Sequence, residues 1–212
     1  MIRHLLQLIW NQRKQNAWLW AELLLVSVFL WFLVDYLYVM GRTYTAPLGF
    51  DIRHTYSIVI SSLSERSPDY IPKEKRERPD GVHLLTALDR IRTYPGVESA
   101  CLTDGGMPYY MGSRNLVWRI DTLQVPCRYA FVTPEFFDVF RIYDKDGKTA
   151  SLKRAIEDNN SIVISADVET MNPGLSLLGQ KAYRGNVTDE IEETIRGISV
   201  PIRRHEYTKA EP

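Results

Sequence analysis

The sequence predicts an α+β protein: one N-terminal transmembrane helix followed by a mixed α/β extracytoplasmic domain. Three observations lead there. One apolar run dominates the first forty residues, the remaining 172 mix strand-like alternation with short helical periodicities, and turn residues cut that remainder into short elements. The segments are an N-terminal stretch (1–16), a span (17–40) and an outer domain (41–212).

Residues 17–40 read AWLWAELLLVSVFLWFLVDYLYVM, charged only at Glu22 and Asp35. A bilayer core about 30 Å thick needs roughly 20 helical residues, so this run is long enough. A cleaved signal peptide has a shorter apolar region, roughly 7–15 residues, and a small-residue cleavage site. No A-x-A motif follows here, and an uncleaved anchor is predicted. Arg3, Arg13 and Lys14 precede the span with no acid among the first sixteen residues, whereas Arg42 is the only cation between the span and Asp51. The positive-inside rule then puts the N-terminus in the cytoplasm and residues 41 onward outside. Residues 2–10 (IRHLLQLIW) read either as a short interfacial helix or as a plain tail. Glu22 and Asp35 stand about 20 Å apart along a helix, so at least one carboxyl lies below the membrane surface. Near the bilayer centre such a group costs roughly 2.5–3.5 kcal/mol. Either both snorkel from off-centre positions, or neighbouring helices shelter them, which makes them the candidate helix-packing acids.

In the outer domain, Tyr56–Ser61 (YSIVIS) reads as a strand and residues 64–81, with three prolines, as a surface loop. Val82, Leu85, Leu88 and Ile91 recur at helical spacing, and Pro95–Gly96 stops that helix. Residues 97–102 resume as a strand, giving a strand–helix–strand unit. After a glycine-rich loop (103–115), Asn115–Ile120 and Leu123–Val132 pair around Asp121–Thr122, with Pro126 requiring an edge position or a bulge. Thr133–Pro134–Glu135 is a helix start leading into FFDVF (136–140). A short helix is expected over Ser151–Glu157, a buried strand over Ser161–Ser165, a helical turn over Ala166–Met171 and a late strand over Ile195–Val200.

Composition narrows the function class. Lys+Arg and Asp+Glu are both 26, so the 212-residue chain is formally neutral, and without residues 1–40 the balance is 23 to 24. A nucleic-acid-binding domain is usually clearly basic, so nucleic acid is not an expected partner. Hydrophobic residues make up 45% and charged residues 25%, as in a folded globular chain. A mean hydropathy of −0.22 excludes a polytopic bundle within these residues but not one span.

Chemistry-bearing motifs are scarce. The sequence holds no GxxxxGK[ST], GxGxxG, HExxH or CxxC, and His4, His54, His83 and His205 are scattered. No catalytic, cofactor-binding or metal-ligating set is expected, and the chain does not read as an enzyme. Cys101 and Cys127 both fall in the exported part. They form a candidate disulfide in an oxidising compartment, or else two buried thiols that pack as small apolar groups.

The order of segments resembles the N-terminal part of MacB-type ABC transporter permeases, the family with an FtsX-like permease module. PLGFDIRHTYSIVI (47–60) is similar to that family's PLGF turn and first exported strand, and LLTALDRIRTYPGVESACLT (84–103) to its helix, PGVESV turn and second strand. YAFVTPEFFDVFRI (129–142), SIVISADVETM (161–171), LLGQ (177–180) and ETIRGISVPIRRHEYTKAEP (193–212) resemble later segments in order. Pro201–Arg204 departs from the family's lysine–aspartate turn. The resemblance implies a MacB-like periplasmic core domain over 41–212, incomplete by comparison with the family, which continues into further spans. It also implies the bacterial inner membrane, where the one apolar run makes residues 1–212 a single-pass chain, and the absent motifs leave no cofactor expected. Its expected partners are an ABC-type ATPase subunit, a second permease subunit in a homodimer or related pair, and membrane lipid. Its work would be mechanical transmission in efflux or substrate extraction. The competing expectation is a single-pass protein whose outer domain binds a ligand or partner as a sensor or regulator.

Overall fold

The computed structural model describes residues 17–61, 63–72, 79–110, 114–185 and 190–208, with 3, 7, 10, 11, 14, 75 and 112. The expectation of an interfacial helix over residues 2–10 lies largely outside the described residues, as does most of the KEKRER run (73–78). Two compact units form, Met1–Ala46 and Pro47–Pro212.

The first unit is built on α1, Ala17–Thr45, a 29-residue helix. At 1.5 Å per residue it is about 43 Å long, more than a hydrocarbon core requires. It continues five residues past the apolar run, because Gly41–Thr45 still hydrogen-bond helically and Thr45 Oγ1 donates to the Gly41 carbonyl at 3.0 Å. No residue of α1 is buried, Trp18 being 79% exposed and Trp31 72%. A helix that is apolar on every side and covered by nothing fits a lipid solvent.

The second unit is α+β. Its main sheet has the order β3-β2-β6-β7-β5: Leu123–Tyr129, Arg114–Ile120, Lys181–Arg184, Ile191–Ser199 and Ser161–Ser165. Neighbours are antiparallel except β5 and β7, which run parallel. In the β2–β3 hairpin the pairs Leu116–Cys127, Trp118–Val125 and Ile120–Leu123 share the core-facing side, as strand alternation requires. Pro126 sits on β3, one of the two edge strands, where a residue without an N–H is tolerated. These residues, with Val168, Leu177 and Ile195, form the first core cluster. A two-stranded sheet pairs β1 (Thr103–Asp104) with β4 (Phe131–Val132).

The helices here are short apart from α2, Asp80–Arg92, which buries Leu88. The next is α3, Phe136–Val139, followed by α4 (Ala150–Ala155) and α5 (Asp167–Met171). Phe136, Phe137, Phe140, Ile142 and Leu152 make a second cluster, against which Phe50, Val132 and Ile202 pack. The start of α3 differs from the expectation: the Thr133 hydroxyl does not cap the helix but accepts the Leu102 N–H at 3.1 Å, tying the loop before β1 to it.

Two expected strands are absent. Tyr56–Ser61 lies in no strand, with Tyr56 and Val59 each 86% exposed. Residues 97–102 are half-buried coil, and pairing begins only at Thr103. Strand propensity is high in Tyr56–Ser61 and weak in residues 97–102, and no described strand offers either one a ladder. Conversely, β6 has no counterpart among the expected elements, and β7 begins four residues before the expected Ile195.

Candidate functional site

A cavity of about 470 Å³ lies within the second unit, lined by residues of both core clusters. The sheet contributes Trp118 from β2 and Ala182 from β6, and α3 contributes Phe136 and Phe137. Trp118, Phe136 and Phe137 are each less than 10% exposed, so their rings are held by packing rather than by solvent.

Within the polar part of the wall, β6 contributes Arg184 and β7 contributes Glu193. Burial along β7 alternates, and Glu193 is in phase with Ile195, Gly197 and Ser199 on the inward side. A carboxylate thus occupies a core-facing strand position at 8% exposure. The Arg184 guanidinium is its partner, Nε to Glu193 Oε2 at 3.3 Å. The pair is an ion pair without an aligned hydrogen bond, and among the described residues the buried Arg184 Nε–H has no acceptor. Burial pushes the Glu193 carboxyl above its usual range, and the Arg184 charge opposes that only in part. The same guanidinium lies over the Phe131 ring, 5.5 Å from its centroid, linking the main sheet to the two-stranded one.

The other lining arginines have partners of their own. Arg114 pairs with Asp104 at 2.8 Å, Arg204 donates to the Tyr110 carbonyl, and Arg203, only 4% exposed, donates to the carbonyls of Glu206 and Thr208. In all the lining holds five arginines (114, 128, 184, 203 and 204) and two carboxylates, Asp158 and Glu193.

The residues singled out from the sequence lie elsewhere or apart. Glu22 and Asp35 are exposed on α1. Cys101 and Cys127 are free thiols that the fold does not bring together: Cys127 is in the first cluster, while Cys101 packs against the second. Burial pushes each thiol up to about 11, helped at Cys101 by the nearby Glu135 carboxylate and opposed by Arg92. Among the described residues no group of three or more His, Cys, Asp or Glu converges as metal ligands do. Sequence reasoning misses the Arg184–Glu193 pair; only the Glu193 half carries a signal, the alternation of IEETIRGIS (191–199) that places it on the apolar side.

No family model matches the chain, and no curated protein matches it. Among solved structures it is similar to the crystal structure of a domain of a protein from Porphyromonas gingivalis described as a permease. The identity is 21% and the TM-score 0.43, over 59% of this chain and 48% of that one. The chain thus spans about half the length of that structure, and a likeness of this extent defines neither fold nor function here.

Proposed function

We propose that the chain is the membrane-anchored portion of an ABC transporter permease subunit of the MacB type. In this reading its outer domain, which carries out no chemistry of its own, is moved by ATP hydrolysed on a separate cytoplasmic subunit, for efflux or extraction of a substrate. The N-terminus lies inside, the domain from residue 41 lies in the periplasm, and α1 packs through Glu22 and Asp35 against helices of a second permease subunit.

One observation supports the reading above the rest. Segments that carry the family resemblance are far apart in sequence yet meet in one cluster. Phe50 comes from PLGF, Phe136, Phe137 and Phe140 from the FFDVF stretch, and Ile202 from the last segment. Gly49 of the same PLGF turn lies against Pro201. A domain that transmits motion needs its anchor-proximal residues tied into its core, and this packing supplies the tie.

The test is recovery of the full chain from its native membrane in mild detergent, followed by ATPase assay and mass spectrometry of what co-purifies. A stoichiometric nucleotide-binding subunit is expected. Its absence, with the chain itself intact and folded, overturns the reading. The cavity favours the second reading, a single-pass protein with a ligand-binding outer domain, which needs no ATPase partner.

A further inference from the structure

We propose that the cavity between the two core clusters binds one small amphipathic molecule, its apolar body against Trp118 and Phe136 and its single anionic group on Arg184. The inference does not depend on the transporter reading.

Size comes first. Small-molecule sites run from about 300 to 1,000 Å³, and this cavity of about 470 Å³ falls inside that range. The space is a half-open pocket lined by residues of both clusters, and its walls argue for a site. The rings of Trp118, Phe136 and Phe137 are fixed by burial and present apolar surface without needing to rearrange. A volume of this order takes one acyl-sized body rather than a two-chain phospholipid.

Charge selects the head group. Arginines outnumber carboxylates five to two around the cavity, a balance that complements an anion. Of these arginines, Arg184 has a buried Nε–H that meets no acceptor among the described residues. An anion arriving there supplies the missing hydrogen bond, and a charge-assisted bond in a desolvated wall is among the stronger ones available. A neutral head group offers less, and a cation is repelled. Glu193 is the resident competitor, since its carboxylate already neutralises Arg184 at 3.3 Å. Removing that charge should therefore improve anion binding.

Trp118 makes a direct reporter. It is the only tryptophan after residue 40, the others being Trp10, Trp18, Trp20 and Trp31. The experiment uses the full chain in neutral-lipid nanodiscs with those four changed to Phe. It is titrated with 12-bromododecanoate and, separately, with 12-bromododecan-1-ol, whose bromine quenches a tryptophan it touches. Saturable quenching by the acid is expected, with the alcohol at least tenfold weaker. Arg184→Met should weaken the acid at least tenfold and leave the alcohol unchanged, and Glu193→Gln should tighten the acid. The proposal is overturned if the acid does not quench, if acid and alcohol act alike, or if Arg184→Met leaves the acid unaffected. The acid–alcohol comparison needs no change to the cavity, so it decides the matter even if Arg184→Met fails to fold.

Discussion

Gly49 lies directly against the backbone of Pro201: a Cβ placed on it would stand 2.0 Å from the Pro201 carbonyl oxygen. Its φ is +82°, a region that other residues adopt only under strain. Relief by backbone movement is blocked, because the neighbouring Leu48 carbonyl accepts the Arg203 N–H at 2.9 Å. Gly49→Ala is therefore expected to destabilise the Pro47–Pro212 unit by about 2 kcal/mol or more. Gly96 provides the control. Its φ is +91°, with nothing within 4 Å of the place a Cβ would take, so Gly96→Ala should cost only about 1 kcal/mol of backbone strain. Urea unfolding followed by Trp118 fluorescence compares the two.

Burial sets the reactivity of the cysteines. Both thiols stand near 11 against an ordinary 9.0, two pH units higher. At pH 8 the thiolate fraction is then about 100-fold below that of an unfolded cysteine, and the thiolate is the reacting species. Iodoacetamide should modify Cys101 and Cys127 about two orders of magnitude faster in urea than in the native protein, as read by peptide mass spectrometry.

Asp138 and Lys153 form a half-buried pair at 2.5 Å, joining α3 to α4, each side chain 32% exposed. Burial alone would raise the Asp138 carboxyl, but the hydrogen bonds from Lys153 and Thr149 hold it below its ordinary 3.8. The folded state thus favours the carboxylate. The pair's stabilisation is present above 3.8 and is lost as pH falls below that value through the depressed folded one. Solvent screening limits it to about 0.5–1 kcal/mol. Asp138→Asn should lower stability by that amount at pH 6 and flatten the part of the acid-side fall due to this pair, measured by thermal melts from pH 6 to pH 2.5.

Ile195 is fully buried in β7, and the Gly179 and Gln180 backbones bond to it on one side at 2.8 and 2.9 Å. Ile195→Ala should cost about 2–5 kcal/mol. Val59, also a β-branched residue of a strand-like segment, is 86% exposed, and Val59→Ala should change stability by less than about 0.5 kcal/mol. Chemical denaturation of both variants separates a strand that is built into the core from a strand-like segment that pairs with nothing described.

That contrast also marks how far the sequence can be read. Elements whose signal is local are legible: the α1 run, the spacing of Val82, Leu85, Leu88 and Ile91, and the hairpin around Asp121, with Pro126 at the edge. Elements that depend on a partner are not. Tyr56–Ser61 has the composition of a strand and no ladder, whereas Lys181–Arg184 has little strand character and is paired on both sides by β2 and β7. The Arg184–Glu193 pair is hidden for the same reason. Its two members become neighbours only through the β6–β7 register, which no local pattern specifies.

The segment that follows α1 bonds early to distant parts of the second unit. Leu48 is held by Arg203, Asp51 donates its N–H to the Phe140 carbonyl at 2.9 Å, and the Asp51 carboxylate takes Arg141 at 3.0 Å. Tension applied at Pro47 is therefore shared within five residues by segments from the middle and the far end of the sequence. The load has no slack loop to stretch first, so the domain would yield as one piece or not at all.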